Sequence, residues 1–155
     1  MHTIDRATPA DAAAMFALQQ RSFAEEARRS GEHQIPPMLE TQAAIAAHIQ
    51  QQVALVARQG DAIVGAVRGV VEGGVCTVRA LVVDPACQGR GIGSALVKAL
   101  EAALPQVARF DLKTNMVMQD NVPFYLKHGY RVTEYAQVSD LVTLALMTKD
   151  GPARP

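Results

Sequence analysis

Gly89, Gly91 and Gly93 alternate with other residues in Gln88-Gly-Arg-Gly-Ile-Gly93, between an apolar run (Ala80 to Val83) and a helical pattern. Glycines in this spacing let a backbone approach a ligand closely and turn several N–H groups the same way. A helix beginning near Gly91 adds its unpaired N–H groups and the positive end of its dipole. The N–H groups of Gln88, Gly89, Arg90, Gly91, Ile92, Gly93 and Ser94 together suit a pyrophosphate or a similar anion. That chemistry points to a phosphate-bearing cofactor. Arg90 either helps to hold an exposed phosphate or is a solvated loop charge.

The spacing narrows the cofactor. A dinucleotide fingerprint needs G-x-G-x-x-G and an acidic residue closing the next strand. Here Ser94 stands where the third glycine belongs, and Asp111 opens the next apolar segment. A P-loop is excluded because no Gly-Lys-Ser/Thr follows. Gln88-x-x-Gly91-x-Gly93, after a strand ending Leu-Val-Val-Asp-Pro and before an amphipathic helix, resembles the acyl-CoA motif Q/R-x-x-G-x-G/A of the GNAT superfamily of N-acyltransferases. Downstream, Phe124-Tyr125-x-x-x-Gly129-Tyr130 is similar to the superfamily's other signature, N…F-Y-x-x-x-G-F/Y. The asparagine departs from the commonest spacing. Asn121 lies four residues before the tyrosine, while Asn115 closes the preceding strand; either could reach the cofactor, and Asn121 is favoured.

The resemblance implies an enzyme that moves an acetyl group from acetyl-CoA to a primary amine, without a metal. Backbone groups along Leu81, Val82 and Val83 would pair with the pantetheine arm, and Asn121 and Phe124 would join the cofactor site. A thioester held between two diverging strands would be attacked directly by the amine, through a tetrahedral oxyanion stabilised by a strand N–H. Tyr125 is implied as the general acid for the CoA thiolate. The alternatives are a non-catalytic acyl-CoA sensor, which has no use for such an acid, and a weaker Rossmann-type reading.

The amine also needs a base. Glu72 is a turn carboxylate or a base. Glu40 and His33 lie where the superfamily builds its acceptor pocket, or are a helix-start charge and a loop side chain. A water chain would serve equally. Arg68 and Arg79 interrupt apolar strands and read as solvent-facing or ion-paired, with an acidic substrate group as the other option. His48 and His128 read as structural. Cys87 is incidental unless exposed, and the apolar Ile35-Pro-Pro-Met38 could line a pocket, meet another subunit or cover the core.

Periodicity predicts the elements that must position these residues. A strand at Thr3–Arg6 leads into a helix capped by Thr8 with Pro9 at its first position, fading through Glu25–Arg29. Ser30–Pro37 reads as a loop and Thr41–Gln51 as a helix. Strands follow at Val53–Arg58, Ala62–Val71 and Cys76–Val83. The helix after the glycines runs to Leu104 before Pro105. Then come a strand at Phe110–Lys113, a helix at Asn121–His128 capped by Gly129, and strands at Tyr130–Ala136 and Leu141–Thr148. The order β-α-α-β-β-β-α-β-α-β-β is an α/β domain, a mixed central sheet of about seven strands flanked by about four helices. It is also the order of the GNAT fold, so the resemblance spans essentially the whole chain.

A single domain over residues 1–150 is expected, with a frayed tail at 151–155. The chain has 155 residues, 49% of them hydrophobic and 19% charged, with 15 basic against 15 acidic side chains. That balance and the absence of a Lys/Arg-rich run give no support to a nucleic-acid or membrane partner. The opening Met-His-Thr-Ile-Asp-Arg lacks the apolar core of a signal peptide, and two cysteines make neither a disulfide framework nor a metal site. A cytoplasmic enzyme acting on a small-molecule or peptide amine is the expectation, as a homodimer by the superfamily's habit.

Overall fold

Apolar runs punctuated by Gly60 and by Gly73-Gly74 fold into a meander of three antiparallel strands, β2 (Val53–Gln59), β3 (Ala62–Glu72) and β4 (Val75–Val83). In this computed structural model, which describes residues 2–153, β1 (Thr3–Arg6) flanks β2, and β5 (Arg109–Asn115), β7 (Thr143–Asp150) and β6 (Arg131–Gln137) continue beyond β4. The result is one seven-stranded sheet in the order β1-β2-β3-β4-β5-β7-β6, antiparallel except between β4 and β5. The helices are α1 (Ala12–Ser30), α2 (Pro36–Leu39), α3 (Gln42–Gln51), α4 (Ile92–Ala102) and α5 (Asn121–Lys127).

β2 is buried on both faces. Val53, Leu55 and Ala57 join the core under α4, whereas Ala54 and Val56 pack with Met15, Leu18 and Ile45 of α1 and α3. Gly65 and Gly69 of β3 face α4 and leave no room for a side chain there. A Cβ on Gly65 would lie 2.9 Å from Leu96 Cδ1 and 3.2 Å from the Val82 carbonyl oxygen. Gly65→Val should therefore overpack this seam and destabilise the fold by about 1–3 kcal/mol, measurable by urea denaturation; unchanged stability would mean that α4 can lift without cost.

Five expectations need correction. Thr8 and Asp11 do form a capping box, but it opens a short 3-10 turn at Pro9–Asp11, and the α-helix starts at Ala12. α1 does not fade at Glu25: that carboxylate pairs with Arg28 at 2.5 Å and Arg29 at 2.8 Å, and the helix continues to Ser30 and stops at Gly31, φ 74°. Within the expected loop, two prolines start the single turn of α2, a fifth helix. β7 begins at Thr143 instead of Leu141 and extends to Asp150. The tail expected to fray is tied as far as Ala153, through N–H bonds from Gly151 to Ala108 and from Ala153 to Val107; Arg154 and Pro155 lie outside the described residues.

Candidate functional site

β4 and β5 stay in register for only three pairs, Val75–Arg109, Cys76–Phe110 and Thr77–Asp111. Beyond them β5 follows β7, to which it is bonded as far as Asn115. β4 turns away. Its ladder to β3 slips between Ala66 and Arg68, which pair with Val82 and Arg79, so Ala80 and Leu81 together oppose Val67. Ala80 there adopts φ 52°, a left-handed conformation costly for a residue with a Cβ. A bulge of this kind bends and twists its strand. The divergence opens a cavity of about 670 Å³ and leaves one edge of β4 without a strand partner beyond Thr77.

Tyr125 lines that cavity from α5 and is 9% exposed. Its placement rests on the helix end. The N–H of Tyr130 bonds to the Tyr125 carbonyl and that of Gly129 to the Leu126 carbonyl, with Gly129 at φ 91°. This is a Schellman closure, which fixes a helix of only seven residues. The Tyr125 ring then packs edge-on against Tyr130, centroids 5.7 Å apart. Tyr130 is itself held by Glu101 at 3.0 Å, and Lys149 holds Glu101 at 2.7 Å. Burial first, and then the negative charge of Glu26, raise the Tyr125 phenol above its ordinary value. It therefore keeps its proton at neutral pH.

The glycine loop follows β4 and none of its residues lines the cavity. Gly89 and Gly91 have φ 79° and 78°, with open space where a Cβ would stand. Gly91 is the N-cap of α4 and offers no side chain to its first N–H groups. The first intrahelical bond comes from Ala95 to Gly91, so Ile92, Gly93 and Ser94 keep free N–H groups at the positive end of the helix. Ile92 and Val82 point their side chains into the core, so only their backbones can serve a ligand. Gln88 and Arg90 are exposed, and Val83 is half-buried beside Gly93. Ser94 Oγ lies 2.9 Å from His128 Nε2. Phe124 packs on the first turn of α4, where a Gly93 Cβ would be 3.6 Å from its ring, and is not on the cavity wall. Leu81 and Asn121 are. Asn115 accepts from the Val117 N–H at 3.1 Å and donates towards Glu26 at 3.4 Å, whereas Asn121 donates to Thr114 Oγ1 at 2.9 Å with its Nδ2 alone.

A bulged strand, a splayed parallel pair, an uncapped glycine loop and a buried tyrosine at the splay thus occur together. Residues 50–132, more than half of the chain, match the family model of the acetyltransferase (GNAT) domain. The chain belongs to the GNAT acetyltransferases. It is accordingly an acyltransferase, although no curated protein sequence matches it. Its fold is shared across 97% of its length with a GNAT-family acetyltransferase from Streptococcus pneumoniae (21% identity, TM-score 0.77, 99% of that chain). The ribosomal-protein-S18-alanine N-acetyltransferase of Escherichia coli aligns at 19% identity and TM-score 0.77, over 97% of this chain and 94% of its own. A paia N-acetyltransferase from Thermoplasma acidophilum, in complex with coenzyme A, aligns at 15% identity and TM-score 0.78, over 97% and 99%. No helix among the described residues is long and apolar enough to cross a membrane.

Within this GNAT cavity the carboxylates are not equivalent. Glu40 reaches it, but is clamped: Arg68 donates to both of its oxygens, Nη1 to Oε2 at 2.9 Å, and Gln19 Nε2 adds a bond at 2.9 Å. Burial acts to raise the Glu40 pKa, but the bonds from Arg68 and Gln19 and the fields of Arg68 and Arg79 outweigh it and bring it down to about 2. A carboxylate so stabilised is a poor proton acceptor. His33 and Glu72 are exposed and off the cavity wall. Arg68, 2% exposed, is the ion-paired structural arginine; His48 bonds the Val53 carbonyl at 3.1 Å; Cys87 is buried. Ile35, Pro36 and Pro37 do line the cavity, as does Arg79.

Sequence reading missed Glu26. It lies on the cavity wall, and burial lifts its carboxyl above the ordinary glutamate range against a weaker opposing bond from Asn115. The signal was present. Ala12, Met15, Gln19, Phe23, Glu26 and Ser30 follow one another at steps of three or four, so Glu26 stands on the inward stripe of α1.

The clamp has a measurable consequence. Arg68→Ala leaves the Glu40 charge half-buried and unpaired, and should cost about 3–5 kcal/mol in denaturant unfolding. Glu40 has a folded pKa below its unfolded one, so its contribution is complete above pH 4.5 and declines as pH falls from there towards 2. Wild-type stability should show that slope and Arg68→Ala should flatten it, the Gln19 bond and the Arg79 field remaining; parallel stability–pH curves would count against the clamp.

Proposed function

We propose that the protein transfers an acetyl group from acetyl-CoA to a primary amine, on a small molecule or a peptide, within one catalytic domain. The observation that carries the reading is the Tyr125 hydroxyl on the wall of the cavity opened by the β4–β5 splay, with the uncapped start of α4 packed beside Val83 and Phe124.

The residues present fit that donor. The N–H groups from Gln88 to Ser94, open at Gly89 and Gly91, would hold a pyrophosphate. The unpaired edge of β4 at Leu81 and Val83 would bond the amides of a pantetheine arm as a strand bonds its neighbour. Asn121, with its amide oxygen free of protein partners among the described residues, is the asparagine better placed to join them. Bound there, acetyl-CoA would supply an activated acyl group as a thioester. A backbone N–H of β4 next to the bulge stabilises developing negative charge on the carbonyl oxygen. Tyr125, kept protonated by its burial, gives its proton to the departing sulfur. Glu40 and Arg68 brace α1 and β3 around the acceptor end and do not exchange protons.

The test is thiol release from acetyl-CoA with a panel of amines and a no-amine control. Amine-dependent release together with an N-acetylated product is expected. CoA binding without release for any amine class would leave the non-catalytic sensor standing instead. The protein is further proposed to be a cytoplasmic homodimer, and light scattering near 16.6 kDa at micromolar concentration would set the dimer aside.

A further inference from the structure

We propose that Glu26 is the general base of the transfer, taking the proton of the acceptor ammonium inside the cavity that it shares with Tyr125. The inference rests on the acetyltransferase reading above and adds the group which that reading leaves open.

The need is chemical. An alkyl amine with a pKa near 10.4 is unprotonated in roughly one molecule in a few thousand at pH 7. Its lone pair must be freed where the attack occurs. Five elements and two connecting segments bring charged or titratable side chains to the cavity: Glu26 on α1, Glu32 after α1, Glu40 after α2, Arg68 on β3, Arg79 on β4, Lys113 on β5 and Tyr125 on α5. The cations cannot accept a proton, and Glu40 is held ionised by Arg68. Glu32 turns its Oε1 to the Gln34 N–H at 2.9 Å, closing its own loop. Glu26 remains. It stands within α1, the one protein hydrogen bond to its carboxyl group among the described residues is the 3.4 Å contact from Asn115, and its charge is the carboxylate charge felt at the Tyr125 hydroxyl.

The proton balance closes. Glu26 takes one proton from the ammonium, and the nitrogen lone pair forms the C–N bond at the thioester carbon. The C–S bond then breaks, and the sulfur takes the Tyr125 proton. The second surplus proton on nitrogen returns to the tyrosinate, and Glu26 releases its own to solvent. The two residues are coupled in a useful direction. While Glu26 is ionised it raises the Tyr125 pKa; once it has accepted the amine's proton that charge is gone, and the phenol becomes a stronger acid as the sulfur needs a proton.

Glu26→Gln and Glu26→Asp test the assignment, with any amine that the wild-type protein acetylates. Glu26→Gln should lower kcat about 10²-fold or more, with CoA affinity and melting temperature close to wild type. The acid limb of kcat/KM, placed above the ordinary glutamate range by Glu26, should vanish, leaving a rise that follows the amine's own ionisation. Glu26→Asp should recover part of the rate together with the acid limb. Wild-type kinetics in Glu26→Gln, or a slow variant that keeps the limb, would overturn the proposal; the latter would make Glu26 a positioning residue for Asn115. An infrared titration needs no acceptor: the wild-type minus Glu26→Gln difference should show a protonated carboxyl persisting above the ordinary glutamate range, and its absence also overturns the proposal. Failure of the acetyltransferase reading shows separately, as a wild-type protein that binds CoA and acetylates nothing.

Discussion

Tyr125→Phe is expected to lower kcat by about 10²–10⁴-fold while CoA binds as it does to the wild-type protein. The substitution keeps the ring, so the edge-on contacts to Phe124 and Tyr130, at 5.1 and 5.7 Å, survive. The Schellman closure involves only backbone and survives as well. What disappears is one O–H at the splay, where the departing sulfur needs a donor. Steady-state kinetics with CoA calorimetry checks the split between turnover and affinity. Wild-type turnover would show that solvent supplies that proton, and Tyr125 would then be a packing residue.

Gly91→Glu should weaken CoA binding by about 100-fold or more, the equivalent of one or two charge-assisted hydrogen bonds. Two effects add. At φ 78° a residue with a Cβ is strained, and the new carboxylate can swing to the free N–H groups of α4 and act as an internal anion. That second effect stabilises the helix, so the loss of binding should not be accompanied by unfolding. Gly91→Ala introduces the strain without the charge and should retain most of the affinity. A pantetheine fragment lacking the pyrophosphate should bind wild type and Gly91→Glu alike. Equal CoA affinity in all three proteins would move the phosphate site elsewhere.

Much of this molecule was legible in the chain because its signals are local. Apolar runs over residues 53–83 produce the meander, and glycines at 60, 73 and 74 make its turns, since short apolar runs and left-handed turns are properties of short segments. The glycine loop and the Phe124-Tyr125…Gly129 segment identified the family for the same reason: each is a backbone geometry written into contiguous residues. Gly129 was read as a helix cap and is one.

Tertiary structure alone decided three things. Ala80 carries no mark of its left-handed φ; the bulge follows from the ladder to β3, a relation between residues far apart in sequence. The β4–β5 splay arises because β5 follows β7 after three shared pairs with β4, which no local pattern encodes. The environments of the carboxylates were set by distant partners: Arg68 and Gln19 hold Glu40 ionised, while Glu26, on a stripe that continues from apolar positions, meets no cation among the described residues and is lifted by burial. The sequence by itself determined the family, the sheet and the glycine loop before α4. Which carboxylate on the cavity wall is ion-paired and which is not was decided only by packing, because a side chain's charge is set by what the fold places within a few ångströms of it.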